Sequence, residues 1–212
     1  MTRAVTTALL LSLMLALTAE AVEQPRLVLV VVVDQLRADA LRPLLGRFLQ
    51  AGTPKTPGGF RYLLQRGAYW PVAEYSMAQC ITGPGHATIA TGTYPYRHGI
   101  TTNGWWGGDV PPERVLPDPQ RDAASVECVS PGKSAPELGQ SPVRLRAPTL
   151  GDALREVDPR SQVFTVDLKA RAAILLGGHS ANLALWFDEP SRAWVSSPTT
   201  LSGAPCPRPW RP

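Results

Sequence analysis

Leu27-Val28-Leu29-Val30-Val31-Val32-Val33-Asp34-Gln35-Leu36-Arg37 is the stretch that decides the fold class. Seven apolar residues, most of them β-branched, run without interruption, and polarity then switches abruptly at Asp34. A run of this kind suits a strand buried on both faces, as in a parallel sheet covered by helices. In open α/β sheets, ligands bind just beyond the carboxyl ends of the strands, which is where Asp34 falls. The reading is therefore α/β, with a central, largely parallel sheet flanked by helices.

Downstream of this run, the pattern predicts short helices over Leu44–Gln50 and Gly59–Arg66, with Gly67 as a C-terminal cap of the second. Ala68–Tyr75 reads as a strand. Pro84–Ala90 reads as a helix that tolerates Pro84 in its first turn. Residues 93–148 are rich in Gly and Pro with weak periodicity, as expected of a long surface or substrate-side insertion. Thr149-x-x-Asp152 has the form of a capping box opening a helix through Val157. Gln162–Val166 and Ala172–Leu176 read as apolar strands. Leu183–Phe187 and Ala193–Ser196, joined across residues 188–192, read as a hairpin. The tail from Ser202 is Pro-rich and irregular, and there is no internal repeat.

The start of the chain has the three parts of a secretory signal. These are the basic Met1-Thr2-Arg3, the apolar Ala8–Leu17, and the small-x-small Ala19-Glu20-Ala21. An apolar run of about ten residues is too short to span a bilayer. Residues 1–21 are expected to be a signal peptide and 22–212 the domain, with a periplasmic or secreted location and no stable membrane span. Of the 212 residues, 21 are basic and 17 acidic, giving a net charge of +4. The basic residues are dispersed, without the block that tracks a nucleic-acid backbone, so no nucleic-acid partner is expected. Cys80, Cys128 and Cys206 form no CxxC spacing; two of them can pair in an oxidising compartment, or all three stay as thiols.

Cys80-Ile81-Thr82-Gly83-Pro84-Gly85-His86-Ala87-Thr88 holds the candidate chemistry. A threonine hydroxyl is a weak nucleophile until a metal or base activates it. Two glycines let a phosphate approach the backbone, and a helix start offers N–H groups and the positive end of a dipole. On spacing alone, the segment reads first as an ordinary Gly-Pro turn before a helix. It is not a P-loop, because the lysine is missing, nor a GxGxxG fingerprint, because Thr88 takes the third glycine position. His86, four residues after Thr82, is either a base or a loop tie. His98 and His179 lie in turn-like surroundings, and the three histidines have no metal-ligand spacing. Lys169 and Arg171, at i and i+2, can share one face of an extended segment and hold phosphate oxygens, or they are simply surface cations. Asn103 is a turn residue or an amide donor.

Taken together, these motifs resemble a known family. Val33-Asp34-Gln35, Ile81-Thr82-Gly83-Pro84-Gly85-His86, Gly92-Thr93-x-Pro95, His98-Gly99, Asn103-x-Trp105, Thr149-Leu150-Gly151-Asp152, Lys169-x-Arg171 and Gly178-His179 follow one another as in secreted alkaline phosphatases. Those enzymes belong to the type I phosphodiesterase/nucleotide pyrophosphatase branch of the alkaline phosphatase superfamily. The resemblance implies hydrolysis of small-molecule phosphate monoesters through a phospho-threonine at a two-zinc centre. It implies Asp34 and Thr82 as metal ligands, Thr82 as the nucleophile, and Asn103, Lys169 and Arg171 as the phosphoryl-binding group. It further implies that the remaining zinc ligands belong to a C-terminal region beyond this chain. The fold would then be incomplete at the C-terminus and the 212 residues weak or inactive alone. A diesterase, or a non-catalytic remnant, is the alternative.

Overall fold

The computed structural model describes residues 25–47, 52–53, 55, 59–104, 121–129, 133–189 and 192–197. The expected signal peptide, Trp105 and Cys206 lie outside them, as does the tail. The chain divides into two compact units, Met1–Tyr62 and Leu63–Pro212.

In the first unit, the Leu27–Val33 run is not a strand. It joins no ladder among the described residues, and Leu27, Leu29 and Val31 are 73–78% exposed. A strand buried on both faces needs a hydrogen-bonded neighbour on each edge. The β-branched composition is present here, but the neighbours are not. Helix α1 spans Ala38–Arg47, earlier than the pattern predicts, and runs through Pro43. Ahead of it, Arg37 pairs with Asp39 on the surface. Helix α2, Gly59–Arg66, falls as expected, and the Gly67 N–H donates to the Leu63 carbonyl at 2.8 Å. A Cβ on Gly67 would lie 2.9 Å from that oxygen.

The second unit opens with a further departure. Ala68–Tyr75 is exposed and forms no strand. Pro71, within it, has no N–H to give to a ladder. Helix α3 covers Thr82–Thr91 and closes on Gly92, at φ 63°, whose N–H returns to the Thr88 carbonyl. Helix α4 is the single turn Pro95–His98. The stretch expected to be an irregular insertion carries an antiparallel pair, β1 (Arg121–Val129) and β2 (Lys133–Gln140), with register shifts between Asp122 and Cys128. Those irregularities hide the alternation that marks a hairpin in sequence.

Helix α5, Leu150–Val157, has the predicted capping box. The Asp152 N–H donates to Thr149 Oγ1, and the Thr149 N–H donates to Asp152 Oδ2. Strand β3 is Phe164–Asp167, helix α6 is Ala170–Gly177, β4 is Leu183–Asp188 and β5 is Ala193–Val195. β3 pairs parallel with β4 and β4 antiparallel with β5, so this small sheet is mixed rather than largely parallel. Phe187 and Trp194, paired across β4 and β5, meet edge to face at 5.7 Å.

The apolar run 172–176 is helix α6, not a strand. Ala173 and Ile174 pack on Ala184, Trp186 and Val195 of the sheet, while Leu175 joins Ala87, Ile100 and Leu145 on the other side. A helix buried all round loses the one-sided periodicity that would reveal it. Its run of alanines and leucines favours helix once both faces are covered.

Asp152 reaches beyond its own helix. Its Oδ1 accepts from the Ser180 N–H at 2.7 Å and from the Ser180 hydroxyl at 2.6 Å. Gly178, at φ 74°, passes so close that a Cβ would lie 2.4 Å from both Asp152 Oδ2 and Thr149 Oγ1. Burial pushes the Asp152 carboxyl up, but the Ser180 hydroxyl and the nearby backbone N–H groups outweigh it and hold it below the usual value. A folded-state pKa below the unfolded one means that this stabilisation is complete above about pH 3.9 and is lost as pH falls through the folded value. Asp152→Asn should therefore show a shallower loss of stability on acidification below about pH 4 in urea unfolding. An unchanged acid slope would refute this role.

Candidate active site

The site is built on the start of α3. The N-cap Ile81 has no side-chain cap, and there is no acidic residue in the first turn. Thr82 is the first helical residue and is 8% exposed. The turn is tied elsewhere. The Gly83 N–H donates to Asn103 Oδ1 at 2.6 Å, which brings the Thr82 segment and Asn103 together. Because the partner is an N–H, the amide oxygen must face it. The Asn103 amino group is left without a hydrogen bond among the described residues.

This geometry revises the phosphate cradle expected from sequence. Pro84 has no N–H, the Gly83 N–H is taken by Asn103, and the Gly85 N–H goes to the Ile81 carbonyl. The helix end keeps its dipole, but those two amides are already engaged. The glycines also differ. A Cβ on Gly83 would lie 2.9 Å from Asn103 Oδ1 and 3.3 Å from the Thr102 carbonyl, whereas at Gly85 nothing lies within 4 Å. Only Gly85 leaves the open approach that both were expected to give.

All three histidines hold structure. His86 is 2% exposed, and its Nδ1 lies 2.8 Å from the Thr82 carbonyl, to which it donates. Its Nε2 is buried with no hydrogen-bond partner among the described residues. Fully buried His98 accepts the Ile100 N–H on Nδ1, so its proton sits on Nε2 and is donated to Thr88 Oγ1 at 3.1 Å. Burial pushes the His98 pKa down, partly offset by a backbone hydrogen bond. The His179 Nε2–H donates to the Leu145 carbonyl at 2.7 Å.

Lys169 and Arg171 do not lie together on an extended segment. Lys169 is the extended N-cap of α6, its N–H held by Asp167 Oδ1 at 2.9 Å, and Arg171 is in the first helical turn. That turn has no acidic residue. Two cations and the Asp167 carboxylate therefore meet at the positive end of the α6 dipole. Helix α6 packs against α3, which carries Thr82. Asp34 is exposed in a turn of the first unit, beside Gln35 at φ 63°.

A cleft of about 520 Å³ lies elsewhere, lined by Leu145, Arg146, Asp152, Arg155 and His179 among others. None of Asp34, Thr82, Asn103, Lys169 or Arg171 lines it. Within it, Asp152 accepts from Ser180, and Arg155 donates to the Ser161 carbonyl and to Asn182 Oδ1. No helix among the described residues is long and apolar enough to cross a membrane.

Residues 28–200 match the model of the type I phosphodiesterase/nucleotide pyrophosphatase family. The chain belongs to that family. Alkaline phosphatase PhoK of a Sphingomonas species is 34% identical over 185 residues, covering 84% of this chain and 30% of its own length. The crystal structure of alkaline phosphatase PafA superimposes with a TM-score of 0.74 at 29% identity, over 88% of this chain and 34% of that one. A PafA variant, with a threonine replaced by serine and an asparagine, a lysine and an arginine each replaced by alanine, also gives 0.74, at 27% identity. The chain thus spans about a third of the length of these alkaline phosphatases. The α/β family fold agrees with the expected fold class.

The two glycines of α3 give a direct check of the site geometry. Gly83→Ala should displace Asn103 and destabilise the chain by about 1–3 kcal/mol. Gly85→Ala should be neutral or stabilising by up to about 1 kcal/mol, from helix propensity. Urea unfolding of the two variants measures the difference, and equal effects would show that the Gly83–Asn103 contact is not rigid.

Proposed function

We propose that this chain is the nucleophile-bearing portion of a phosphate-monoester hydrolase. In this reading, Thr82 Oγ gives up its proton and bonds to phosphorus as the P–O bond to the ester oxygen breaks, a proton leaves with the released alcohol, and water then cleaves the phospho-threonine to restore the hydroxyl and release inorganic phosphate. The Asn103 amide, Lys169 and Arg171 hold the non-bridging oxygens. The observation that carries the reading is that Lys169 and Arg171 stand together at the start of α6, with the Asp167 carboxylate on the N-cap N–H. A monoester dianion brings more charge to such a point than a diester does. Further support comes from the PafA variant, whose four substituted residue types are those of Thr82, Asn103, Lys169 and Arg171, in the same order.

The two-zinc centre implied by the resemblance does not fit the residues described. They contain no group of three His, Cys, Asp or Glu side chains that can hold a metal ion, and each histidine ring is tied to the chain. Zinc takes about four ligands per ion, and Asp34 and Thr82 do not make up such a set. The periplasmic or secreted location and the small-molecule ester substrate belong to the same proposal.

Two measurements test it. Each charge-assisted contact to phosphate contributes roughly 1.5–3 kcal/mol. The double variant Lys169→Ala/Arg171→Ala should therefore bind phenyl phosphate at least about a hundredfold more weakly, with a much smaller loss for a diphenyl ester. Equal losses would favour the diesterase reading. The 212-residue chain with added zinc should hydrolyse 4-nitrophenyl phosphate little or not at all, because positioning dominates phosphoryl transfer. Robust turnover abolished by Thr82→Ala would show that the chain is sufficient by itself.

A further inference from the structure

The Thr82 carbonyl and the Gly83 N–H belong to one peptide plane. His86 Nδ1 holds its oxygen at 2.8 Å, and Asn103 Oδ1 holds its N–H at 2.6 Å. The plane is therefore gripped at both ends by side chains, from within α3 and from 20 residues downstream. Orienting that plane fixes ψ of Thr82 and φ of Gly83, the two soft torsions that follow the nucleophile. Ile81 gives no side-chain cap, no first-turn acid faces the dipole, and Pro84 supplies no N–H. The missing Cβ of Gly83 is what lets Asn103 approach.

We propose that His86 is a positioning residue for Thr82. Its Nδ1–H, acting opposite Asn103, locks the Thr82–Gly83 peptide and so fixes the direction in which the threonine hydroxyl is presented. The carbonyl can only accept, so Nδ1 carries a proton; a second proton on Nε2 would be buried with no acceptor among the described residues. The ring does not exchange protons with substrate. The proposal rests on the reading of Thr82 as nucleophile, but the lock itself is testable without turnover.

The test is amide hydrogen exchange at Gly83 in the full chain, with Ala173 and Ile174 of α6 as reporters of the intact fold. His86→Asn places an N–H near the Nδ1 position, whereas His86→Phe keeps the ring and loses the donor. His86→Gln extends its amide to the Nε2 position. Positioning through Nδ1–H predicts Gly83 exchange within about threefold of the parent for Asn, and at least about tenfold faster for Phe and Gln. A merely space-filling ring predicts the reverse order, with Phe the best tolerated, and that order would overturn the proposal. Nitrogen-15 spectra of the parent ring give a check that no substitution can perturb: a proton on Nδ1 is expected, and a proton on Nε2 alone would overturn the lock. Phosphorylation of Thr82 by a reactive aryl phosphate in a full-length protein carrying this segment, assayed separately by mass spectrometry, decides the nucleophile reading, while the exchange ranking in this chain decides the lock.

Discussion

The burial of helix α6 on two sides at once is the constraint on which the second unit depends. Ala173 and Ile174 cover the sheet around Trp186 and Val195, and Leu175 closes a second cluster with Ala87 of α3. The small residues of α6 let these layers approach. Thr165 in β3 reaches across to donate to the Ala173 carbonyl at 2.8 Å. Because one helix supports both clusters, the position of α3, and with it Thr82, is set by the same packing that holds β3 beside β4. The phosphoryl-binding candidates ride on this arrangement: Lys169 and Arg171 open the helix that forms the core.

Local chemistry in this chain was legible where a single residue type has a single structural use. The Thr149–Asp152 box, the Gly67 cap, the helix beginning beside Pro84, and the hairpin around residues 188–192 all follow from side-chain hydrogen bonding or turn geometry. The failures share a cause, which is that burial is not a local property. Leu27–Val33 has the composition of a central strand and yet is exposed, and 172–176 has the composition of a strand and yet is a helix. A short apolar run carries no periodicity from which to choose between them. Helix propensity and contacts from residues far along the chain decide the second case.

The candidate site shows the same division. Thr82, Asn103, Lys169 and Arg171 were visible as residue types in order. What was hidden was how the backbone donors are spent. Sequence offers two glycines as a cradle, but the Gly83 N–H goes to Asn103 and the Gly85 N–H to the Ile81 carbonyl, and only Gly85 keeps open space where a Cβ would lie. The roles of the histidines follow from neighbours that no spacing rule reveals, such as Ile100 for His98 and Leu145 for His179.

The carboxylate of Asp152 serves two masters, one oxygen closing the first turn of α5 and the other gripping Ser180 after α6. Gly178 passes between them with no room for a methyl group. Fraying of α5 from its N-terminus therefore cannot proceed as an independent local event, because it also releases the connection into β4. The two segments should melt and reform together, as one cooperative block. In evolutionary terms, that makes Thr149, Asp152, Gly178 and Ser180 a set whose members cannot drift singly, even though none of them need ever meet a substrate.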